Sequence, residues 1–278
     1  MHTTLVSAAG LATHVGDPQW IVFDCRHDLA DPGAGRRAYA QAHIPGAHFL
    51  HLDDDLSAAK TGTNGRHPLP DPQAFCTRLA ALGFSNGMQA VAYDAHGGMF
   101  AARLWWMLRW VGHDAVAVLD GGLGAWQQAG HPVSADTRAP QPGRFTGAPR
   151  PLAVDAAFVA AHLDDGTMRL VDARAPDRFH GENETLDPVG GHIPGAVNRF
   201  FKDNLAADGR FKSAAALRGE FAALLGETAP AQVVQQCGSG VTACHNLLAM
   251  EYAGLAGSRL YAGSWSEWCA APARPVAR

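Results

Sequence analysis

One cysteine of this chain lies in a segment whose residue types favour nucleophilic chemistry. The β-branched residues Val233 and Val234 precede it and favour a buried strand. Gly238 and Gly240 follow Cys237 and allow backbone angles that other residues resist. Apolar residues then recur at helical spacing, at Val241, Cys244, Leu248 and Tyr252. The segment therefore predicts a strand, a tight loop and a helix, with Cys237 at the mouth of the helix.

The mouth of a helix is a favourable place for a thiolate. A helix N-terminus carries roughly half a positive charge and offers unpaired N–H donors, so it stabilises an anion. A thiol with an ordinary pKa of about 8.5 is only a few per cent ionised at neutral pH, and such surroundings lower that pKa. Cys237 is therefore a candidate nucleophile. The alternative, from these residues alone, is a buried structural cysteine ahead of a helix.

The length and composition of the chain limit its class. At 278 residues, the chain suits two domains of about 130 residues each. Its formal net charge of −4 argues against a nucleic-acid or membrane partner. Five cysteines without a C-x-x-C pair predict neither a disulfide framework nor a metal site, and they indicate a reducing compartment. The N-terminal residues lack the pattern of a signal peptide, so we expect a cytoplasmic protein.

Four sequence blocks occur twice along the chain in the same order. The His-Ile-Pro-Gly-Ala block at residues 43–47 returns unchanged at residues 192–196. The other pairs are 21–26 with 169–174, 90–94 with 233–237, and 119–126 with 261–268. The repeat predicts two similar domains, at residues 1–135 and 151–278, which are joined by a Pro- and Gly-rich linker at residues 136–150.

Each half alternates short apolar strands with helical segments, which is typical of a mostly parallel sheet flanked by helices. Strands are predicted at residues 20–24, 90–93, 115–119, 168–172, 231–236 and 259–261. Helices are predicted at residues 71–82, 100–111, 154–162, 214–225 and 241–252. Asp94 occupies in the first half the position of Cys237, so only the second half carries a sulfur nucleophile there. The α/β pattern places Cys237 at the carboxyl end of a strand, where such sheets bind ligands.

The repeated His-Ile-Pro-Gly-Ala block, the segment around Cys237 and the Gly-Ser-Trp-Ser-Glu-Trp ending together resemble the tandem rhodanese-domain sulfurtransferases. The resemblance extends from about Leu5 to Trp268. The loop Cys-Gly-Ser-Gly-Val-Thr-Ala is most like the 3-mercaptopyruvate sulfurtransferase branch, because the thiosulfate branch usually carries basic residues directly after the cysteine. The resemblance implies two rhodanese-like α/β domains, the first non-catalytic, and sulfur transfer through a persulfide on Cys237.

The resemblance also implies a set of site residues. Ser239, His67 and Asp53 match the members of a proton relay that serves Cys237. Arg178 matches an arginine that contacts the donor's carboxylate, and a guanidinium suits bidentate binding of that group. No second arginine occurs in residues 181–191, so Arg66, beside His67, is the substitute candidate. The remaining predicted substrate contacts are the loop residues Gly238, Gly240, Val241 and Thr242.

The expected partners are a small sulfur donor and an acceptor, either a thiol such as thioredoxin or glutathione, or cyanide. No cofactor is predicted, and a monomer is compatible with a duplicated pair of domains. Two alternatives stay open at this point: a thiosulfate:cyanide sulfurtransferase, and a persulfide carrier or sensor without steady turnover. A cysteine phosphatase is disfavoured, since its C-x5-R loop needs an arginine where this chain has Ala243.

Overall fold

The computed structural model describes residues 1–137 and 139–278. Arg138, which belongs to the predicted linker, lies outside the described residues. The chain forms two compact units. The first unit comprises Met1–Ala58, Pro70–Arg150 and Ala207–Phe211; the second comprises Ala59–Leu69, Pro151–Ala206 and Lys212–Arg278. Residues 59–69, which carry Arg66 and His67, therefore belong to the unit that contains Cys237.

The first unit is a five-stranded parallel sheet flanked by helices, with strand order β1-β5-β4-β2-β3. Its strands are β1 (Leu5–Val6), β2 (Trp20–Asp24), β3 (His48–Phe49), β4 (Gln89–Tyr93) and β5 (Val116–Leu119). Its helices are α1 (Ala8–Ala12), α2 (Ala34–Gln41), α3 (Pro72–Ala81), α4 (Ala101–Trp110) and α5 (Gly122–Gln128). Every residue of the central strand β4 is buried, as expected where helices cover both faces of a parallel sheet.

The second unit repeats this topology, with strand order β6-β10-β9-β7-β8. Its strands are β6 (Ala153–Val154), β7 (Arg169–Asp172), β8 (Val197–Asn198), β9 (Val233–Gln236) and β10 (Arg259–Tyr261). Its helices are α6 (Ala156–Ala161), α7 (Pro176–Phe179), α8 (Ala214–Leu225), α9 (Ala243–Tyr252) and α10 (Ser264–Trp268). The predicted fold, two α/β units each with a parallel sheet and flanking helices, is confirmed.

The register of the two sheets also repeats. Asp24 of β2 pairs with Tyr93 of β4, and Asp172 of β7 pairs with Gln236 of β9. The residue after each central strand is Asp94 in the first unit and Cys237 in the second. The two residues therefore occupy equivalent positions at the carboxyl end of a central strand, as the sequence repeat predicted.

The observed elements differ from the predicted ones mainly at their ends. Helix α9 begins at Ala243 and not at Val241, because the preceding loop turns at Gly240, whose φ is +75°. Strand β9 begins at Val233 and not at Ala231, since Pro230–Gln232 forms a 3-10 turn. The prediction also missed the two-residue edge strands and the short helices α1, α2, α5, α7 and α10, which show little periodicity, whereas the six-residue helix α6 lies within a predicted helix. Within the described residues, the helices are all too short or too polar to cross a membrane.

Candidate active site

Cys237 directly follows β9, the middle strand of the second sheet, and its residue surface is only 2% exposed. Its backbone is fixed on both sides by α10. The N–H of Cys237 donates to Oγ of Ser264 at 3.1 Å, and its carbonyl oxygen accepts the N–H of Trp265 at 3.0 Å. Ser264 has a φ of +54°, which is uncommon for a residue with a side chain. This strained serine lies against the candidate nucleophile, a place where such strain is often found.

The loop between Cys237 and α9 needs its glycines for steric reasons. A Cβ atom on Gly240 would clash with the carbonyl oxygen of Ala262, and its positive φ also disfavours other residues. A Cβ atom on Gly238 would lie 2.7 Å from Nη2 of Arg66. Both glycines therefore allow neighbouring groups to approach the loop closely. Val241 is buried and Thr242 is half-buried, and both directly precede α9.

Ser239 and His67 form a direct contact. Nδ1 of His67 lies 2.7 Å from Oγ of Ser239, and the two residues are 4% and 7% exposed. The segment that carries His67 is held against α10, because the N–H of Arg66 donates to Oγ of Ser266 at 3.0 Å. Histidine and serine in contact can pass a proton near neutral pH. The structure thus brings together two of the predicted relay residues, and one of them, Ser239, lies two positions after Cys237.

The two predicted arginines also converge on this loop. The position that a Cβ atom of Gly238 would take is 2.7 Å from Arg66 and 3.6 Å from both terminal nitrogens of Arg178. Arg66 forms an ion pair with Asp187, and Arg178 binds both carboxylate oxygens of Glu184 at 2.8 Å. Both guanidinium groups are therefore placed beside Gly238, the residue that follows the candidate nucleophile, and their ion pairs fix their orientations.

Glu184, which binds Arg178, also lies close to a second and more deeply buried ion pair. Arg174 binds Asp172 at 2.7 Å and lies 3.5 Å from Glu184, and the side chains of all three are at most 4% exposed. Buried charges of this kind require close partners. Burial favours a raised pKa for Glu184, but hydrogen bonds from Arg178 and from the N–H groups of Leu186 and Asp187 outweigh it, so the pKa is lowered. The carboxylate of Glu184 is therefore held as an anion.

Sequence reasoning missed the roles of Glu184, Asp187 and Ser264. The sequence of residues 181–191 shows the absence of an arginine, whereas the structure shows that this loop supplies the carboxylates that hold Arg66 and Arg178. The signal available in the sequence was the occurrence of acidic residues, Glu182, Glu184 and Asp187, close to Arg178. Short acidic stretches are usually solvated, so the pattern alone could not identify these contacts.

Asp53 lies in the first unit, where its neighbours are two histidines. Its carboxylate is 3.9 Å from Nε2 of His27, and its backbone N–H donates to Nδ1 of His51 at 3.2 Å. The role of Asp53 as the carboxylate of the relay stays a prediction from the resemblance.

The residues His27, His51 and Asp53 also offer ligand atoms that lie within 4.8 Å of one another. The hydrogen bonds of His51 argue against a metal centre. Its Nδ1 accepts the N–H groups of Asp53 and Asp54, so that its Nε2 donates to the carbonyl oxygen of Pro32 at 2.9 Å. Both ring nitrogens of His51 thus take part in hydrogen bonds, and these bonds hold the loop that carries Asp53 in place.

The equivalent loop of the first unit shows what such a loop can hold. Four backbone N–H groups donate to the carboxylate of Asp94 at 2.7–2.9 Å, and they belong to His96, Gly98, Phe100 and Ala101. Asp94 occupies the position of Cys237 in the repeat and is fully buried. A loop of this design therefore surrounds an anion with backbone donors, which is the environment that a thiolate or persulfide would need.

Comparison with known proteins gives the same assignment as the repeat. A model of the rhodanese-like domain matches residues 7–129 and, a second time, residues 155–271. The chain belongs to the rhodanese family. Its two units are therefore tandem rhodanese-like domains, as the resemblance predicted.

Among similar proteins, the Pseudomonas aeruginosa protein named "Probable 3-mercaptopyruvate sulfurtransferase" is 50% identical, over 98% of this chain and 97% of that protein. The thiosulfate sulfurtransferase of Bos taurus is 37% identical, over 96% of this chain and 92% of that protein. The crystal structure of the 3-mercaptopyruvate sulfotransferase SseA from Escherichia coli has a TM-score of 0.82 and 31% identity, over 95% of this chain and 99% of that one. This member of the rhodanese family is accordingly an enzyme of the sulfurtransferase type.

Proposed function

We propose that this enzyme transfers sulfur from 3-mercaptopyruvate to a thiol or cyanide acceptor through a persulfide on Cys237. The observation that carries the proposal is the convergence of Arg66 and Arg178 on Gly238, next to the nucleophile. Two guanidinium groups suit the carboxylate of a 2-oxo acid, which they can bind through parallel N–H donors. The relatives that are named for 3-mercaptopyruvate support the same donor.

In the first half-reaction, the Cys237 thiolate attacks the thiol sulfur of the donor. An S–S bond forms and the C–S bond breaks, and the electron pair of the C–S bond goes to the donor carbon as the enolate of pyruvate. A proton then converts the enolate to pyruvate. The contact between Ser239 and His67 supports proton delivery by this pair. Ser239 lies two positions after Cys237 in the chain, and His67 contacts Ser239.

In the second half-reaction, an acceptor takes the outer sulfur of the persulfide. The acceptor thiolate or cyanide attacks this sulfur, the S–S bond breaks, and Cys237 leaves as a thiolate. Thioredoxin and glutathione are the proposed thiol acceptors, and the reaction needs no cofactor. Two half-reactions of this type predict ping-pong kinetics. A monomeric enzyme in the cytoplasm is part of the same proposal, and the five free cysteines are compatible with a reducing compartment.

The rival function is a thiosulfate:cyanide sulfurtransferase. The two arginines beside Gly238 are compatible with it, because a dianion also binds guanidinium groups, and the Bos taurus relative is named for thiosulfate. The loop residues 238–242 carry no lysine or arginine, which disfavours the doubly charged donor. The test compares kcat/KM for 3-mercaptopyruvate and thiosulfate with one thiol acceptor, using Cys237→Ser as the blank.

A clear preference for 3-mercaptopyruvate would support the proposal. A preference for thiosulfate would overturn the donor assignment while retaining sulfur transfer. If the protein accepts one sulfur atom per molecule without steady turnover, it is a persulfide carrier and the proposed enzymatic cycle is wrong.

A further inference from the structure

Asp187 is a shared counter-ion of the two arginines that converge on Gly238. One of its carboxylate oxygens forms an ion pair with Nη1 of Arg66, and the other lies 3.5 Å from Nη2 of Arg178. The side chain of Asp187 is only 4% exposed, whereas those of Arg66 and Arg178 are 26% and 19% exposed. The carboxylate is thus shielded from solvent. The two guanidinium groups are the more accessible part of the cluster, which consists of Arg66, Arg178, Glu184 and Asp187.

The charges of this cluster cancel. Arg66 and Arg178 contribute two positive charges, and Asp187 and Glu184 contribute two negative charges at 2.8–3.5 Å or closer. The cluster therefore offers N–H donors to an anionic donor without an excess of positive charge. A guanidinium group has five N–H donors, so an ion pair with one carboxylate leaves others for a second anion.

We propose that Asp187 determines donor specificity by cancelling positive charge at the arginine pair, so that a monoanionic donor is preferred over a dianionic one. The inference rests on the proposed function, in which Arg66 and Arg178 bind the anionic group of the donor. A negative charge near the bound donor repels a dianion twice as strongly as a monoanion at the same position. Mercaptopyruvate carries one carboxylate, and thiosulfate carries two negative charges.

The effect of Asp187 on charge can be separated from its effect on arginine orientation. A change in the orientation of Arg66 or Arg178 would alter the binding of both donors. A change in the charge of the cluster alters the binding of the dianion more. The ratio of kcat/KM for thiosulfate to kcat/KM for 3-mercaptopyruvate therefore reports the charge effect, and a merely structural role would leave this ratio unchanged.

The test replaces Asp187 by the nearly isosteric asparagine. We expect Asp187→Asn to raise the thiosulfate to mercaptopyruvate ratio about tenfold, as one partly screened charge near the bound donor would do. Glu182→Gln is the matched control, because Glu182 is an exposed residue of the same loop and the substitution removes the same charge. Its ratio is expected to stay at the wild-type value. Asp187→Glu retains the charge, and its ratio is expected to stay near that of the wild type even where both rates fall.

A second variant covers the case in which Asp187→Asn does not fold. Glu184→Gln removes a negative charge from the same cluster, and it is expected to raise the ratio as well. Thermal unfolding identifies the variants that are folded. An unchanged or lowered ratio in a folded Asp187→Asn or Glu184→Gln variant would overturn the inference. Inactivity of the wild-type enzyme with both donors would instead refute the proposed function, so the two failures are distinguishable.

Discussion

Nδ1 of His67 lies 2.7 Å from Oγ of Ser239, although 172 positions separate the two residues in the chain. Both residues belong to the second unit, since residues 59–69 pack with that unit while the segments on either side of them belong to the first. The helix α10 holds this segment through Ser266, whose hydroxyl accepts the N–H of Arg66. A candidate proton-transfer pair is thus assembled beside Cys237 by a segment from the first half of the sequence.

Replacement of the nucleophile is expected to abolish sulfur transfer. Serine retains the size of Cys237 closely but its hydroxyl is not ionised at neutral pH, so Cys237→Ser should form no persulfide. Mass spectrometry after incubation with 3-mercaptopyruvate should show one added sulfur atom on the wild type and none on the variant. Circular dichroism should show the same fold for both proteins. Retained turnover in the variant would refute the assignment of Cys237.

Loss of His67 is expected to slow the donor half-reaction more than the acceptor half-reaction. Only the donor half-reaction needs a proton for the enolate, and His67 touches Ser239 at hydrogen-bond distance. Stopped-flow measurement of His67→Ala should show pyruvate formation slowed by about a hundredfold, a usual size for a lost general acid. Ser239→Ala should show a similar bias. Equal slowing of pyruvate formation and persulfide discharge would argue against a donor-specific proton role.

Loss of either arginine is expected to weaken donor binding. Arg178→Ala and Arg66→Ala each remove a charge-assisted hydrogen bond to the donor, which is worth about 1.5–3 kcal/mol. Steady-state kinetics should show the effect chiefly as a higher KM for 3-mercaptopyruvate. Arg144→Ala, which removes an exposed arginine in the first unit, serves as the control and should leave KM unchanged. An unaltered kcat/KM in both variants of the arginine pair would exclude their contact with the donor.

The buried carboxylate of Asp94 is expected to stabilise the first unit. Its oxygens accept four backbone N–H groups, and Asp94→Ala would leave these donors buried without a partner. We expect a loss of about 2–4 kcal/mol in the free energy of unfolding, measured by urea denaturation. Asp136→Ala, at an exposed position, should change this free energy by less than about 0.5 kcal/mol. A stable Asp94→Ala variant would show that water can replace the carboxylate.

The alkylation of Cys269 is expected to depend strongly on pH. Burial, together with the nearby charge of Asp187, raises the pKa of the Cys269 thiol to about 11. Since the thiolate reacts and the thiol does not, modification by iodoacetamide should be slow near neutral pH and should rise tenfold per pH unit up to about pH 10. The Cys237→Ser variant, analysed by peptide mass spectrometry, isolates this rate. A plateau below pH 9 would contradict the raised pKa.

The sequence by itself determined the architecture and pointed to Cys237 as the candidate nucleophile. The repeated blocks predicted two similar α/β domains, because the same local pattern of strand, loop and helix occurs twice in the sequence. The position of Cys237 after a central strand followed from the β-branched pair before it and the glycines after it. These features depend on neighbouring residues, so local propensity and periodicity were sufficient to predict them. The two-residue edge strands and most of the short helices were missed, because segments of this length are too short to show a periodic pattern.

Only the tertiary structure decided how the second unit completes its candidate site. No local pattern could place Arg66 and His67 against α10, because that placement depends on packing between segments 200 positions apart. Nor could the sequence show that Asp187 holds both arginines, since an acidic loop residue is as compatible with a solvated surface as with a buried ion pair. The geometry of such contacts is set by the folded backbone, which brings distant side chains together and excludes water from between them.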